Sequence, residues 1–203
     1  MELKTTLLIC HFIALLLFAA CSSQKNKREP QIISFKIENK DPIENPYEKD
    51  TIKGSPQREA SGRIGETVVA VRYHSPAVRG RIIWGGLVPY GQIWVTGAHN
   101  ATALNFERAM KINGQLVKAG TYAIFTIPDP IEWTIILNQR WNQHLTDEYN
   151  SKEDVLRFKV RPQVMPDTIQ RLTYEIKQLS PGKGEVAMKW ETLRVAFPIE
   201  EAR

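Results

Sequence analysis

Three histidines, His74, His99 and His144, are the side chains in this sequence best suited to proton transfer or metal ligation. His74 or His99, given an acidic partner from another strand, could act as the base of a hydrolase-like enzyme. His144 has Asp147 and Glu148 close behind it. None of the three stands in ligand spacing of the His-Glu-x-x-His kind, so neither a metal site nor a cofactor is expected. Ser75 follows His74 directly, but neighbours along a strand point to opposite faces and cannot form a local dyad. No Gly-x-Ser-x-Gly elbow is present. Asp and Glu are plentiful without any pair standing out, so catalytic residues stay unassigned and the balance tips away from an enzyme.

A denser constellation lies between Tyr73 and Thr102. Arg79, Arg81, Trp84, Tyr90, Trp94, His99 and Asn100 are interleaved there with glycines 80, 85, 86, 91 and 97. Aromatic faces stack on sugar rings, and Arg grips carboxylates or phosphates with two parallel hydrogen bonds. These seven residues are therefore the ligand-binding candidates. The competing role is structural: the aromatics anchor a loop in the core and Arg81 satisfies loop carbonyls. Gly80 to Gly86 lacks the Gly-Lys-Ser/Thr ending of a phosphate-binding P-loop, and no helix follows it.

Cysteine chemistry is confined to the N-terminus, where Cys10 and Cys21 are the only two thiols. The run Leu7 to Ala20 is almost wholly apolar but shorter than the roughly 20 residues a membrane span requires. It has the length of a signal-peptide core. Its ending, Leu17-Phe18-Ala19-Ala20-Cys21, resembles a lipobox, although Phe18 stands where an aliphatic residue is usual. The resemblance implies removal of residues 1–20 and acylation of Cys21, hence a membrane as one partner. The mature chain would then have neither a free thiol nor a disulfide, and its fold would rest on core packing.

Residues 21–57 are rich in Lys, Asn, Glu, Pro and Ser, the composition of a disordered tether. A flexible segment of that length spans about 30–35 Å, enough to hold a domain clear of a lipid surface. Lys25, Lys27 and Arg28 lie near the acyl chains, and Ile32 to Ile37 has the pattern of an added strand. Ser22-Ser23-Gln24-Lys25 carries no acidic run, which favours the periplasmic face of the outer membrane.

Residues 58–199 read as one all-β domain, an antiparallel β-sandwich of 8–10 strands. Expected strands are Thr67–Tyr73, Gln92–Thr96, Thr102–Phe106, Met110–Ile112, Thr121–Ile127, Trp133–Leu137, Val155–Val160, Leu172–Lys177, Glu185–Trp190 and Arg194–Phe197. Asn113-Gly114, Ala119-Gly120 and Pro181-Gly182 supply turn chemistry between them. The stretch Asn142 to Asp154 reads as a loop with a helical turn. With 42% hydrophobic and 24% charged residues the chain is globular, and its +5 net charge is scattered rather than clustered. An exported protein without a recognised motif is not expected to bind nucleic acid.

The run Gly80-Arg81-Ile82-Ile83-Trp84-Gly85-Gly86-Leu87-Val88-Pro89-Tyr90-Gly91, then Trp94, Gly97-Ala98 and Ala101-Thr102, resembles the signature of the bacterial domain of unknown function 2911 family. The similarity continues through Ala119-Gly120-Thr121-Tyr122 and Phe125-Thr126-Ile127-Pro128 to Glu132-Trp133-Thr134, ending near Asp154-Val155-Leu156-Arg157. What it implies is an exported protein, often a lipoprotein, with no activity attached. This chain carries Val95 where the family commonly has Arg, and His99-Asn100 where it has Asn-Glu. A shared polar site at those positions would be altered here. The leading expectation is a lipid-anchored envelope protein binding a small ligand or an envelope protein through residues 79–102. The alternatives are the hydrolase-like enzyme and a purely structural envelope protein.

Overall fold

Alternation of apolar and polar side chains decides which face of each strand is buried, and the fold follows from it. In the computed structural model, which describes residues 52–202, strand β2 (Thr67–His74) turns Val69, Val71 and Tyr73 inward. Strand β7 (Trp133–Asn138) does the same with Trp133, Ile135 and Leu137. The signal segment, Cys21 and the strand expected at 32–37 lie outside the described residues.

Ten strands form two antiparallel sheets packed face to face, with no α-helix among the described residues. The larger sheet has the order β1 (Gln57–Ile64), β2, β3 (Thr102–Phe106), β6 (Gly120–Ile127), β7, β8 (Asp154–Val160). The smaller runs β5 (Gln115–Val117), β4 (Met110–Ile112), β10 (Lys183–Glu201), β9 (Gln163–Ser180). This is the antiparallel sandwich that the strand pattern predicts. The Asn113-Gly114 hairpin forms with both residues in the left-handed region, at φ of 48° and 79°. Pro181-Gly182 closes β9 onto β10, with Gly182 at φ of 70°.

Three local expectations change. Gln92–Thr96 is no strand: it makes one bridge, Trp94 to Thr126, because Thr96 turns the chain at φ of 55°. The two strands expected over 185–197 are a single strand, β10, with register shifts around Glu191, whose φ is 54°. Strand β1, with the sequence QREASGRI, has few β-branched or aromatic residues and escapes detection by pattern. It is held instead by full pairing with β2 and by close approach to the other sheet. A Cβ on Gly62 would lie 2.8 Å from the carbonyl oxygen of Ile176 in β9.

The main core fills the space between the sheets. One gap among the described residues, beside Thr126, Tyr174, Met188 and Phe197, is about 10 Å³. That is room for a single water, so it holds no organic ligand. A second, smaller cluster of Val95, Ala101, Ala123, Phe125 and Ile136 sits on the outer face of the large sheet. It explains why β6 is buried on both faces: loops cover the side that would otherwise meet solvent.

The register also defines two ends. His74, Thr102, Ile127, Trp133 and Val160 lie at one of them, where the chain enters before Gln57. The turns at 65–66 and 107–109 lie at the other.

Candidate functional site

The long loop between β2 and β3 starts where the chain enters the domain, and the two are bonded together. Ser75 donates its amide to Pro56 and its hydroxyl to the Leu172 carbonyl, at 2.9 and 2.6 Å. The Arg171 guanidinium, almost fully buried, donates to the carbonyls of Ser75, Gly54 and Ile52. Arg79, itself at φ of 50°, donates to Ile52 at 2.7 Å. Arg81 donates to the carbonyls of Ala77 and Val78. Both sequence-predicted arginines thus shape the loop while their residues stay exposed.

A tight turn follows. Val88 donates its amide to Ile83, Gly85 to Val88 and Leu87 to Ile82, at 2.9–3.0 Å. Gly86 is required here, since a Cβ would lie 2.5 Å from the Ile82 carbonyl oxygen. The turn sends Ile83 and Val88 into the core and leaves Ile82 79% and Leu87 46% exposed. Tyr90, 39% exposed, lays its ring over Gly85, where a Cβ would meet the ring at 2.9 Å.

Beneath the turn lies a cage of four tryptophans. Trp84 from the loop meets Trp133 of β7 at 4.9 Å and Trp190 of β10 at 5.7 Å, both nearly edge-on. Trp94 stacks on Trp190 at 5.9 Å and donates its indole N–H to Gly97 at 3.1 Å. The indole N–H groups of Trp84, Trp133 and Trp190 are buried without a hydrogen-bond acceptor. Perpendicular packing sets indole edges against neighbouring π faces, which accept an N–H weakly. Trp84 and Trp94, proposed from sequence as a stacking platform, are partly buried and each sits against the other and against Trp133 and Trp190, which clamps the loop to the core.

The far side of the loop carries the polar candidates. Thr96 donates its hydroxyl within the core to Ile124 and Thr126, and its carbonyl accepts from Thr102 and Tyr174, both at 3.0 Å. Burial raises the Tyr174 hydroxyl, keeping it a neutral donor. His99, at φ of 56°, sets its ring 5.1 Å from that of His74, edge to face. Burial first, and the nearby charge of His99 second, lower the His74 pKa. No carboxylate among the described residues hydrogen-bonds to either ring. The histidine that does have one is His144, with Nδ1 3.0 Å from Asp147 Oδ2, both more than half exposed.

Asn100 pairs with His144 across an isolated bridge, and Leu145 donates its amide to His99 at 2.7 Å. The sequence candidates at 99–100 therefore meet the 139–153 loop rather than Arg79 or Tyr90. That second loop is fixed by charges that composition alone does not single out. Arg140 bridges Glu148 and Glu153, which hold its guanidinium further on the charged side. Asn138 donates to Asp154 at 2.7 Å, and Asp154 also takes Arg157 and the Tyr149 hydroxyl. The helical turn expected within 142–154 is present as a 3₁₀ turn, Ser151–Glu153, capped by Asn150. Val95, at the position where the family resemblance calls for Arg, is buried among Ala101, Phe125 and Ile136. No three His, Cys, Asp or Glu residues converge as metal ligands among the described residues.

Fold and loop together define a two-sheet antiparallel β-sandwich with one long, tryptophan-anchored loop across its entry end. The chain belongs to a family of proteins of unknown function, DUF2911, whose model matches residues 55–199. No curated protein and no solved structure matches it.

Proposed function

We propose that this chain is a lipid-anchored protein of the bacterial cell envelope, held through acylated Cys21, whose sandwich binds a partner or ligand with the loop over residues 75–101. The observation that carries the reading is the outer surface of that loop. Ile82, Leu87 and Tyr90 stand in solvent on a turn stiffened by glycine contacts and tryptophan packing, beside Arg79 and Arg81. Large apolar side chains held rigidly outward, with a polar rim, are what a docking surface needs. The N-terminal pattern supports the anchor and, with no acidic run after Cys21, the periplasmic face of the outer membrane.

An enzymatic reading would now rest on His144 and Asp147, whose 3.0 Å contact is the one His–carboxylate pair among the described residues. Their exposure favours a surface ion pair over a poised base. The anchor is tested by intact mass of protein extracted from membranes, wild type beside Cys21→Ser. The expected result is a chain beginning at Cys21 with added acyl mass, absent from the variant. An unacylated wild-type chain would overturn it.

A further inference from the structure

We infer that the entry end of the sandwich docks onto the bilayer surface that holds the anchor, with Ile82, Leu87, Tyr90 and Ile131 as the contacting side chains. The inference rests on the lipid-anchor reading and names the partner of the surface described above.

Placement is the first argument. The β2–β3 loop, the β6–β7 turn carrying Ile131 and the β8–β9 connection all leave the large sheet at the same end. Gly91 donates its amide to Pro128 at 2.9 Å, joining the first two. Of nine exposed large hydrophobic residues among those described, Ile82, Leu87, Tyr90 and Ile131 belong to that end, and Val164 follows four residues after Val160. Ile131 and Val164 are 72% and 80% exposed. Scattered apolar residues need no explanation, but a cluster on rigid loops does.

The route of the chain is the second. Residues 21–51 lie between the acylated cysteine and Ile52, and Ile52 is held by Arg79 and Arg171 at this same end. For an anchored chain that enters here, this end is the part of the domain nearest the anchor along the chain. The anchor also raises the local concentration of the surface to about the millimolar range, so a weak interfacial preference is enough to dock it.

Charge is the third. Residues 75–101 contain Arg79 and Arg81 and neither Asp nor Glu, and Lys159 and Arg161 flank them. The acids of the β6–β7 turn are Asp129, which accepts from the amides of Ile131 and Glu132, and Glu132, which pairs with Lys159 at 2.9 Å; Asp167 of β9 and Glu191 of β10 stand on the strands beside the loop. Basic side chains around an apolar tip match anionic headgroups around an acyl layer.

The test uses the full-length, membrane-extracted, acylated protein in vesicles of phosphatidylethanolamine and phosphatidylglycerol. Acylation blocks Cys21, so Ile82→Cys provides a unique thiol for an environment-sensitive dye, with Leu116→Cys on β5 as the reference at another surface. Lipid-borne nitroxide should quench position 82 several-fold more than position 116. Arg79→Glu/Arg81→Glu should reduce that quenching in the anionic vesicles. Equal, water-like signals at both positions on protein that floats with the vesicles and carries acyl mass would overturn docking and leave the anchor intact. A chain without acyl mass that fails to float would remove the anchor and the docking with it. Protection at position 82 that appears in detergent without vesicles and grows with protein concentration would assign the surface to a second copy of this chain, overturning the bilayer as its partner.

Discussion

The two ends of the sandwich are closed by different means. At the far end the 139–153 connection folds back over the outer face of the large sheet, while the others are short and polar: Gly65-Glu66, residues 107–109 and Pro181-Gly182. Glu201 accepts from the Glu66 amide at 2.6 Å, Arg108 pairs with Glu66 at 2.6 Å, and Lys183 with Glu200 at 3.5 Å. Such exposed pairs contribute little individually. At the entry end the chain lays a long loop across the core, clamps it with four indoles, and leaves apolar side chains outside. The tryptophan-clamped loop with apolar side chains outside distinguishes the entry end, and the proposed anchor would supply a reason for its location.

Breaking the clamp should have the largest effect. Trp133→Ala removes the fully buried indole on which Trp84 rests and should cost about 3–5 kcal/mol in denaturant unfolding. A loss under about 1 kcal/mol would show that the cage does not support the fold. Next comes the tie between loop and entering chain. Arg171→Ala strands the carbonyls of Ser75, Gly54 and Ile52 and should cost about 2–3 kcal/mol. It should also speed proteolysis near residues 52–56 relative to the far end; equal rates at both ends would remove the tie from the comparison.

The far end should answer more mildly. Gly65→Ala forces φ of 61° on an alanine and pushes the Glu201 carboxylate off the Glu66 amide, for about 1–2 kcal/mol. A cost matching that of Trp133→Ala would erase the distinction between the ends. The smallest effect is the protonation of His74. Its folded pKa lies below its unfolded value, so the unfolded chain binds the proton more readily. The contribution is therefore absent at high pH and appears as destabilisation when pH falls through the unfolded value, about 6.5. NMR titration of His99→Ala should move the His74 pKa upward only partway, because burial is the larger cause. A full return to the ordinary value would assign the shift to His99 alone.

Much of the scaffold was legible from residue types. Val69, Val71 and Tyr73 mark β2 by alternation, and Asn113-Gly114 marks its hairpin because those residues accept left-handed backbone. The loop at 75–101 was legible as a site from its glycines, but the assignment of its side chains was not. Indoles look alike in sequence whether they face water or each other, and Trp84 meets its partners Trp133 and Trp190 only across sheets. Gln92–Thr96 shows the opposite limit: strand-like composition is overruled where Thr96 must turn to receive hydrogen bonds from Thr102 and Tyr174.

What the sequence by itself determined is therefore local: the all-β class and the turns that Gly, Asn and Pro impose. Those follow from steric rules acting within a few residues. The tertiary structure alone decided that β1 pairs despite its composition, that Trp84 and Trp94 clamp the loop, and that His99 faces His74 with no carboxylate of the described residues bonded to either ring. Each depends on contacts between segments remote in the chain, whose geometry exists only once the two sheets have closed on one another.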